Sequence, residues 1–169
     1  MWEVCFPTGT QDKNNHSDME FMEELLEGIE RENIPAPAPI EQRWSASSSS
    51  LMSPAYGSDP KGLHSWVGII HYLPSDDKYQ REYITESFTG RYCNLMRGIG
   101  QHYSATSHWA KLEIPSSIFQ IADLRVFMKQ RFPVDLFNRA RQRFDPKSIL
   151  SNRIVDMAFG KSSSNGDGK

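Results

Sequence analysis

Pro39-Ile40-Glu41-Gln42-Arg43-Trp44 closes an Ala-Pro run and opens onto a Ser-rich segment. Read as a strand, its side chains alternate between two faces. Ile40, Gln42 and Trp44 then share one face, and Glu41 and Arg43 share the other. Two residues of rise set the carboxylate and guanidinium roots roughly 6.6–7 Å apart, pointing the same way. A polar molecule lying across that face would meet an acceptor and a fixed cation together. The same spacing also fits a surface ion pair on a half-buried strand, worth about 0–1 kcal/mol.

Working outward, Pro35, Pro37 and Pro39 hold the preceding stretch extended and deliver the chain stiffly into this strand. Before them, Phe21, Met22, Leu25, Leu26 and Ile29 fall at helical spacing. Ser17 with Glu20 makes a capping-box pattern, so an amphipathic helix is predicted over Ser17 to Arg31, stopped by Asn33 and Pro35. Thr8 to His16 reads as polar and turn-like. Downstream, Ser53 to Gly62 is a Pro/Gly loop, and Leu63 to Leu73 suits a buried strand. Lys78 to about Met96 is predicted helical, with Tyr79, Tyr83, Ile84, Phe88 and Tyr92 inward and Gly98 and Gly100 ending it. Ser107 to Ile114 reads as a short strand carrying His108 and Lys111. Ser116 to Arg131 follows as a helix packing through Phe119, Leu124, Phe127 and Met128. Pro133 fits the first position of a further helix to Phe144, and Ile149 to Phe159 is a terminal apolar piece. The pattern predicts an α+β fold, an antiparallel sheet flanked by helices. Residues 160–169 have the composition of a disordered tail.

A chain of 169 residues is long enough for one domain with a real core. Its net charge of −2 argues against a nucleic-acid-binding surface. No apolar run approaches the ~20 residues of a membrane span, and the start lacks a signal-peptide or transit-peptide pattern. Cys5 and Cys93 form no spacing motif, which leaves buried thiols or a disulfide open. His16, His64, His71 and His102 do not fall at zinc-ligand spacing, so no metal site is expected. Ser104 and Ser107 lack a recognisable triad context. Gly57 to Gly62 lacks the spacing of a phosphate-binding loop.

Ala36 to Trp44 resembles the substrate-binding strand of plant-type L-galactono-1,4-lactone dehydrogenases, flavoenzymes of the vanillyl-alcohol oxidase family close to the aldonolactone oxidases. The resemblance continues through Ser65 to Ile70, Tyr72-Leu73-Pro74, His108-Trp109-Ala110-Lys111, Arg131 to Asp135, Asp145-Pro146 and Ile149 to Asn152. It runs from about Val4 to about Phe159, in the family's order. Phe144 before Asp145-Pro146, where the family usually has Leu, and Gly90 to Asn94 fit it less well.

The resemblance implies that residues 1–159 are a partial C-terminal aldonolactone oxidase or dehydrogenase substrate domain. Met1 to Pro7 then matches the interior of a longer chain, and the FAD-binding domain that holds most of the cofactor is missing, so that its flavin-binding residues are unknown here. By the same resemblance, Glu41 would hydrogen-bond the reacting hydroxyl of the lactone. Arg43 would supply a permanent cation near substrate and flavin and hold Glu41 ionised. Lys111 matches a lysine that reaches toward substrate or flavin in related sugar and polyol oxidases, with an exposed strand lysine as the plainer reading. His108 is a weaker candidate, since a His beside Trp also fits a hydrogen-bonded core residue. The implied reaction is oxidation of L-galactono-1,4-lactone to L-ascorbate, with cytochrome c as acceptor, at the mitochondrial inner membrane. The other reading is a catalytically silent domain that persists as a binding or respiratory-complex assembly protein.

Overall fold

The computed structural model describes residues 1–111 and 118–160. Two compact units divide the chain: residues 1–48 with 57–112, and residues 49–56 with 113–169.

The first unit is built on four antiparallel strands, β1 (Trp2–Thr10), β2 (Glu41–Ala46), β3 (Gly62–Ile69) and β4 (Thr106–Ser107), in the order β2-β3-β1-β4. Trp2-Glu3-Val4-Cys5-Phe6 is rich in strand formers, and β1 lies inside the sheet, buried from Trp2 through Phe6. Register then sorts side chains between the faces. Trp2 opposes Ile69, Val4 opposes Val67 and Phe6 opposes Ser65, and these line the core side. Glu3 opposes Gly68 and Cys5 opposes Trp66 on the other side. β2 extends both rows, with Glu41 against Gly68 and Arg43 against Trp66. The period-two reading of this strand is borne out: Trp44 Nε1 donates to Asp18 on the core side (2.9 Å), whereas Arg43 reaches Glu3 on the opposite one.

Helix α1 (Ser17–Arg31) buries Phe21 and Leu25 in the core behind this sheet, as its spacing predicts, but leaves Leu26 exposed. Its start differs from the expected capping box. His16, in left-handed backbone (φ 65°), is the N-cap, and Ser17 is already helical, with its Oγ donating to the Pro7 carbonyl at 3.1 Å. The side chains of Asn14 and Asn15 instead accept from the main-chain N–H groups of His16 and Ser17. The helix stops where Asn33 turns left-handed (φ 47°) and Ile34 N–H returns to the Ile29 carbonyl (2.9 Å), a Schellman closure.

The predicted helix from Lys78 is one rod in three parts: α2 (Lys78–Ser87), a π-helical turn (Phe88–Tyr92) and α3 (Cys93–His102). Gly98 and Gly100 lie inside it and do not end it; Ser104 (φ 55°) does, with Ala105 N–H bonded to the Gly100 carbonyl at 2.9 Å. Tyr79 and Tyr83, expected inward, are 82 % and 66 % exposed, because burial along the rod begins only around Ser87. Tyr92, Cys93, Met96 and Ile99 join the core. Where α1 and α3 cross, a side chain on Gly28 would put its Cβ 2.6 Å from Leu95 Cδ1, so the close approach depends on glycine. Cys5 and Cys93 are both buried and no disulfide joins them.

β4 is shorter than the predicted strand. After Ser107 the chain leaves the sheet at His108, and Trp109–Lys111 form a 3₁₀ turn closed by Lys111 N–H to the His108 carbonyl (2.9 Å). Residues 112–114, the rest of that predicted strand, lie outside the described residues.

The second unit holds α4 (Ile118–Arg131), α5 (Val134–Phe144) and α6 (Arg153–Phe159). Pro133 stands just before α5, one residue earlier than expected. Phe137 and Phe159 pack edge to face at 4.9 Å, Arg125 Nε donates to the Met157 carbonyl at 2.7 Å, and Asn152 caps α6. Met128 is buried and Phe127 mostly covered, but Phe119 is 77 % exposed, contrary to the packing expected of it. Ser116 and most of the predicted tail, residues 161–169, lie outside the described residues.

Candidate functional site

The outer side of the sheet carries an unusual cluster for a face made of strand residues. At its floor is Glu3, whose side chain is 4 % exposed. Oε1 accepts from Arg43 Nε and Oε2 from Lys111 Nζ, each at 2.9 Å, and the Glu3 carbonyl accepts from His108 N–H at 2.9 Å. One residue of β1 therefore gathers β2 and the turn that follows β4. Burial pushes the Glu3 carboxyl toward its neutral form. The hydrogen bonds and charges of Arg43 and Lys111 outweigh that and hold its pKa below the usual carboxylate range. Arg43 responds in kind: the bond to Glu3 raises its pKa further, so it is a permanent cation, and Glu41 adds to the same field.

Arg43 is fixed by a second contact. Its guanidinium lies over the Trp66 ring, 4.4 Å from the centroid, and Trp66 Nε1 is tied to Ser45 Oγ at 2.9 Å. His108 meets Trp66 edge-on at 5.9 Å, and its Nδ1 accepts from Ala110 N–H at 3.1 Å. Glu41 is exposed on the same face as Arg43, directly across from Gly68, with Glu3 beyond. Gly68 itself is buried, with the Met1 methyl and the Glu3 side chain over it.

Arg43, Lys111 and His108 are thus brought together, and Glu41 is placed on their face. The expected Glu41–Arg43 partnership is corrected, because the Arg43 Nε bond goes to Glu3, and it is Glu3 whose carboxyl the guanidinium holds down. Lys111 sits on a turn and not on a strand, yet reaches the cluster because the turn folds its ammonium back over β1. Glu3 escaped the sequence reading. Its signal was a lone carboxylate in the apolar run Trp2 to Phe6, since a buried acid requires a partner.

The cluster is open on its β2 side, where Glu41 and Arg43 are exposed, and covered over β1 and β3. Two hollows of about 550 Å³ occur elsewhere in this unit, one beside Lys78, Arg81 and Glu82, the other beside Glu27, Arg31, Arg91 and Leu95. Among the described residues no three His, Cys, Asp or Glu side chains converge as a metal site would require. Nor is any described helix long and apolar enough to cross a membrane. Chemically, the face offers two anchored cations, one exposed carboxylate and an aromatic floor. Such a set suits an oxygen-rich, uncharged or anionic molecule lying flat.

Residues 14–158 match the profile of the family described as D-arabinono-1,4-lactone oxidase, and the chain belongs to that family. It is similar to the mitochondrial L-galactono-1,4-lactone dehydrogenase 1 of Oryza sativa subsp. japonica, 48 % identical over 157 residues that make up 93 % of this chain and 27 % of the relative. The Arabidopsis thaliana mitochondrial enzyme of the same name is 46 % identical over 157 residues, 93 % of this chain and 26 % of the relative. An L-gulono-1,4-lactone dehydrogenase of Mycobacterium tuberculosis is 26 % identical over 162 residues, 89 % of this chain and 32 % of the relative. The chain therefore spans about a quarter of the length of its plant relatives.

Proposed function

We propose that this chain is the substrate side of an FAD-dependent aldonolactone oxidoreductase that oxidises L-galactono-1,4-lactone to L-ascorbate. The observation that carries the reading is the shared face of Glu41, Arg43 and Lys111, with Glu3 holding both cations. Glu41 accepts a hydrogen bond from the lactone hydroxyl at the carbon to be oxidised and draws off its proton as the C–H bond breaks. Arg43 and Lys111 meet negative charge as it builds up, and their tether to Glu3 means they need no rearrangement to do so. Trp66, under the Arg43 guanidinium, gives the site an apolar floor. Two fixed cations without a glycine-rich phosphate loop fit the ring and substrate end of a flavin and not its phosphates. Most of the FAD is accordingly held outside the stretch of its relatives that this chain covers. Bound FAD supplies the hydride acceptor.

The acceptor that reoxidises the enzyme is cytochrome c, and its place is the mitochondrial inner membrane. The mitochondrial naming of the plant relatives supports the organelle, while the acceptor and the membrane are what the family resemblance implies. In the flavin-loaded enzyme, Glu41→Gln and Arg43→Ala are each expected to lower kcat/KM by about a hundredfold with the fold retained. The isolated 169-residue chain is expected to bind no FAD. Unchanged turnover in both variants, with circular dichroism intact, would sink this assignment.

A second reading, a silent docking or assembly domain, draws on apolar residues in the second unit: Phe144, Ile149 and Leu150 are each more than three-quarters exposed. Lactone turnover by any flavin-loaded form containing this chain separates the two.

A further inference from the structure

Exposure across the outer cluster is graded. The Glu3 side chain is 4 % exposed, Lys111 24 % and Arg43 56 %, so the anion lies at the bottom and the cations above it. A single buried carboxylate would be costly, and a guanidinium and an ammonium side by side would repel. Glu3 resolves both by giving one oxygen to each cation at the same 2.9 Å. Arginine has five N–H donors and lysine three, so one bond each to Glu3 leaves several on the open side. The Trp66 ring below the guanidinium and the β1–β3–β2 register remove the remaining freedom of Arg43.

We infer that Glu3 is a positioning residue: it sets the spacing and orientation of Arg43 and Lys111, so that they act as one rigid two-point rest for an electron-rich oxygen or ring nitrogen. This rests on reading the face as the substrate side of the enzyme. Glu3 itself touches no ligand in this account. Its carbonyl, by fixing His108 N–H, also pins the turn that aims Lys111.

The test uses the whole chain labelled with ¹⁵N and the variants Glu3→Gln, Glu3→Asp and Lys111→Met. In the unaltered chain, Arg43 Nε–H is expected to exchange with solvent about tenfold more slowly than that of exposed Arg31, and Glu3→Gln should abolish the difference. Lys111→Met should keep it, because Glu3 still holds Arg43; this variant decides the matter if Glu3→Gln does not fold. In the flavin-loaded enzyme, Glu3→Gln should lower kcat about tenfold to a hundredfold with a smaller change in KM, and Glu3→Asp should restore part of it. Rapid exchange at Arg43 in the unaltered chain, or slow exchange persisting in folded Glu3→Gln, overturns the inference. Slow exchange that obeys these expectations, together with no lactone oxidation by the flavin-loaded enzyme, would refute the proposed function and leave the positioning role standing.

Discussion

Gly28→Ala tests whether the α1–α3 crossing behind the sheet is as tight as it looks. Inside an α-helix, replacing Gly by Ala is worth about 1 kcal/mol in favour of the folded state. Here the added Cβ would stand 2.6 and 2.9 Å from the two Leu95 methyls and 3.2 Å from Leu95 Cγ. Carbon atoms prefer about 3.5–4.0 Å, so Leu95 must swing away or the helices must part. Such overpacking costs about 1–3 kcal/mol, and half-buried Leu95 has some room to move. The balance is a net loss of about 1 kcal/mol. All four tryptophans (Trp2, Trp44, Trp66 and Trp109) belong to the first unit, so tryptophan fluorescence in a urea titration follows that unit alone. Adding Leu95→Ala removes the obstruction, and the double variant should be more stable than additivity allows by about 1–2 kcal/mol. A single variant more stable than the parent by the full propensity gain, with additive behaviour in the double, would refute the close approach.

Glu3 should shape the acid limit. Its folded pKa is below the unfolded value, so its stabilisation is complete above about pH 4.3 and is lost as pH falls through the folded pKa. Glu3→Gln should lower the melting temperature at neutral pH and flatten the acid decline, and an unaltered acid slope would count against the pairing. Tyr92 and Tyr103 are each pushed up to about 12, both chiefly by burial, Tyr103 also by its bond to Glu24. An ultraviolet titration of the native chain should therefore find Tyr92 and Tyr103 un-ionised near pH 11, where the unfolded chain ionises both and stability drops as pH rises. At Gly68 a new Cβ would meet only ordinary contacts, 3.4 Å to Met1 Cε and 3.8 Å to Glu3 Cβ. Gly68→Ala should keep stability within about 0.5 kcal/mol, yet raise KM for the lactone about tenfold if substrate displaces the Met1 side chain to lie between Glu41 and Glu3, and an unchanged KM would place the substrate elsewhere.

Strand β2 was legible because prolines fix its approach and its alternation survives at the sheet edge, where one side stays wet. Helix α1 was legible because five apolar side chains repeat at helical spacing. The partner of Arg43 was not. Glu3 lies 40 residues away on a strand that does not neighbour β2, and only the β1–β3–β2 register puts the two on one side. β1 itself reads as an apolar run with no alternation, since it is covered on both faces from Trp2 to Phe6. Tyr79 and Tyr83 misled for the opposite reason: helical spacing shows that residues share a side, not that anything lies against it.

The π-helical turn at Phe88–Tyr92 has a consequence for the phase of the rod it interrupts. Ile84, Phe88, Tyr92 and Met96 follow one another at intervals of four, and all four are at least partly covered. In an unbroken α-helix each such interval overshoots a full revolution by about 40°, so three would rotate Met96 about 120° away from the side on which Ile84 began. A wider winding in the middle takes up part of that excess. A homologue lacking one residue between Phe88 and Tyr92 would wind regularly and set Ile84 and Met96 eleven positions apart, about 20° past three full turns, so the wide turn lets the rod carry one extra residue while both ends keep the same side covered.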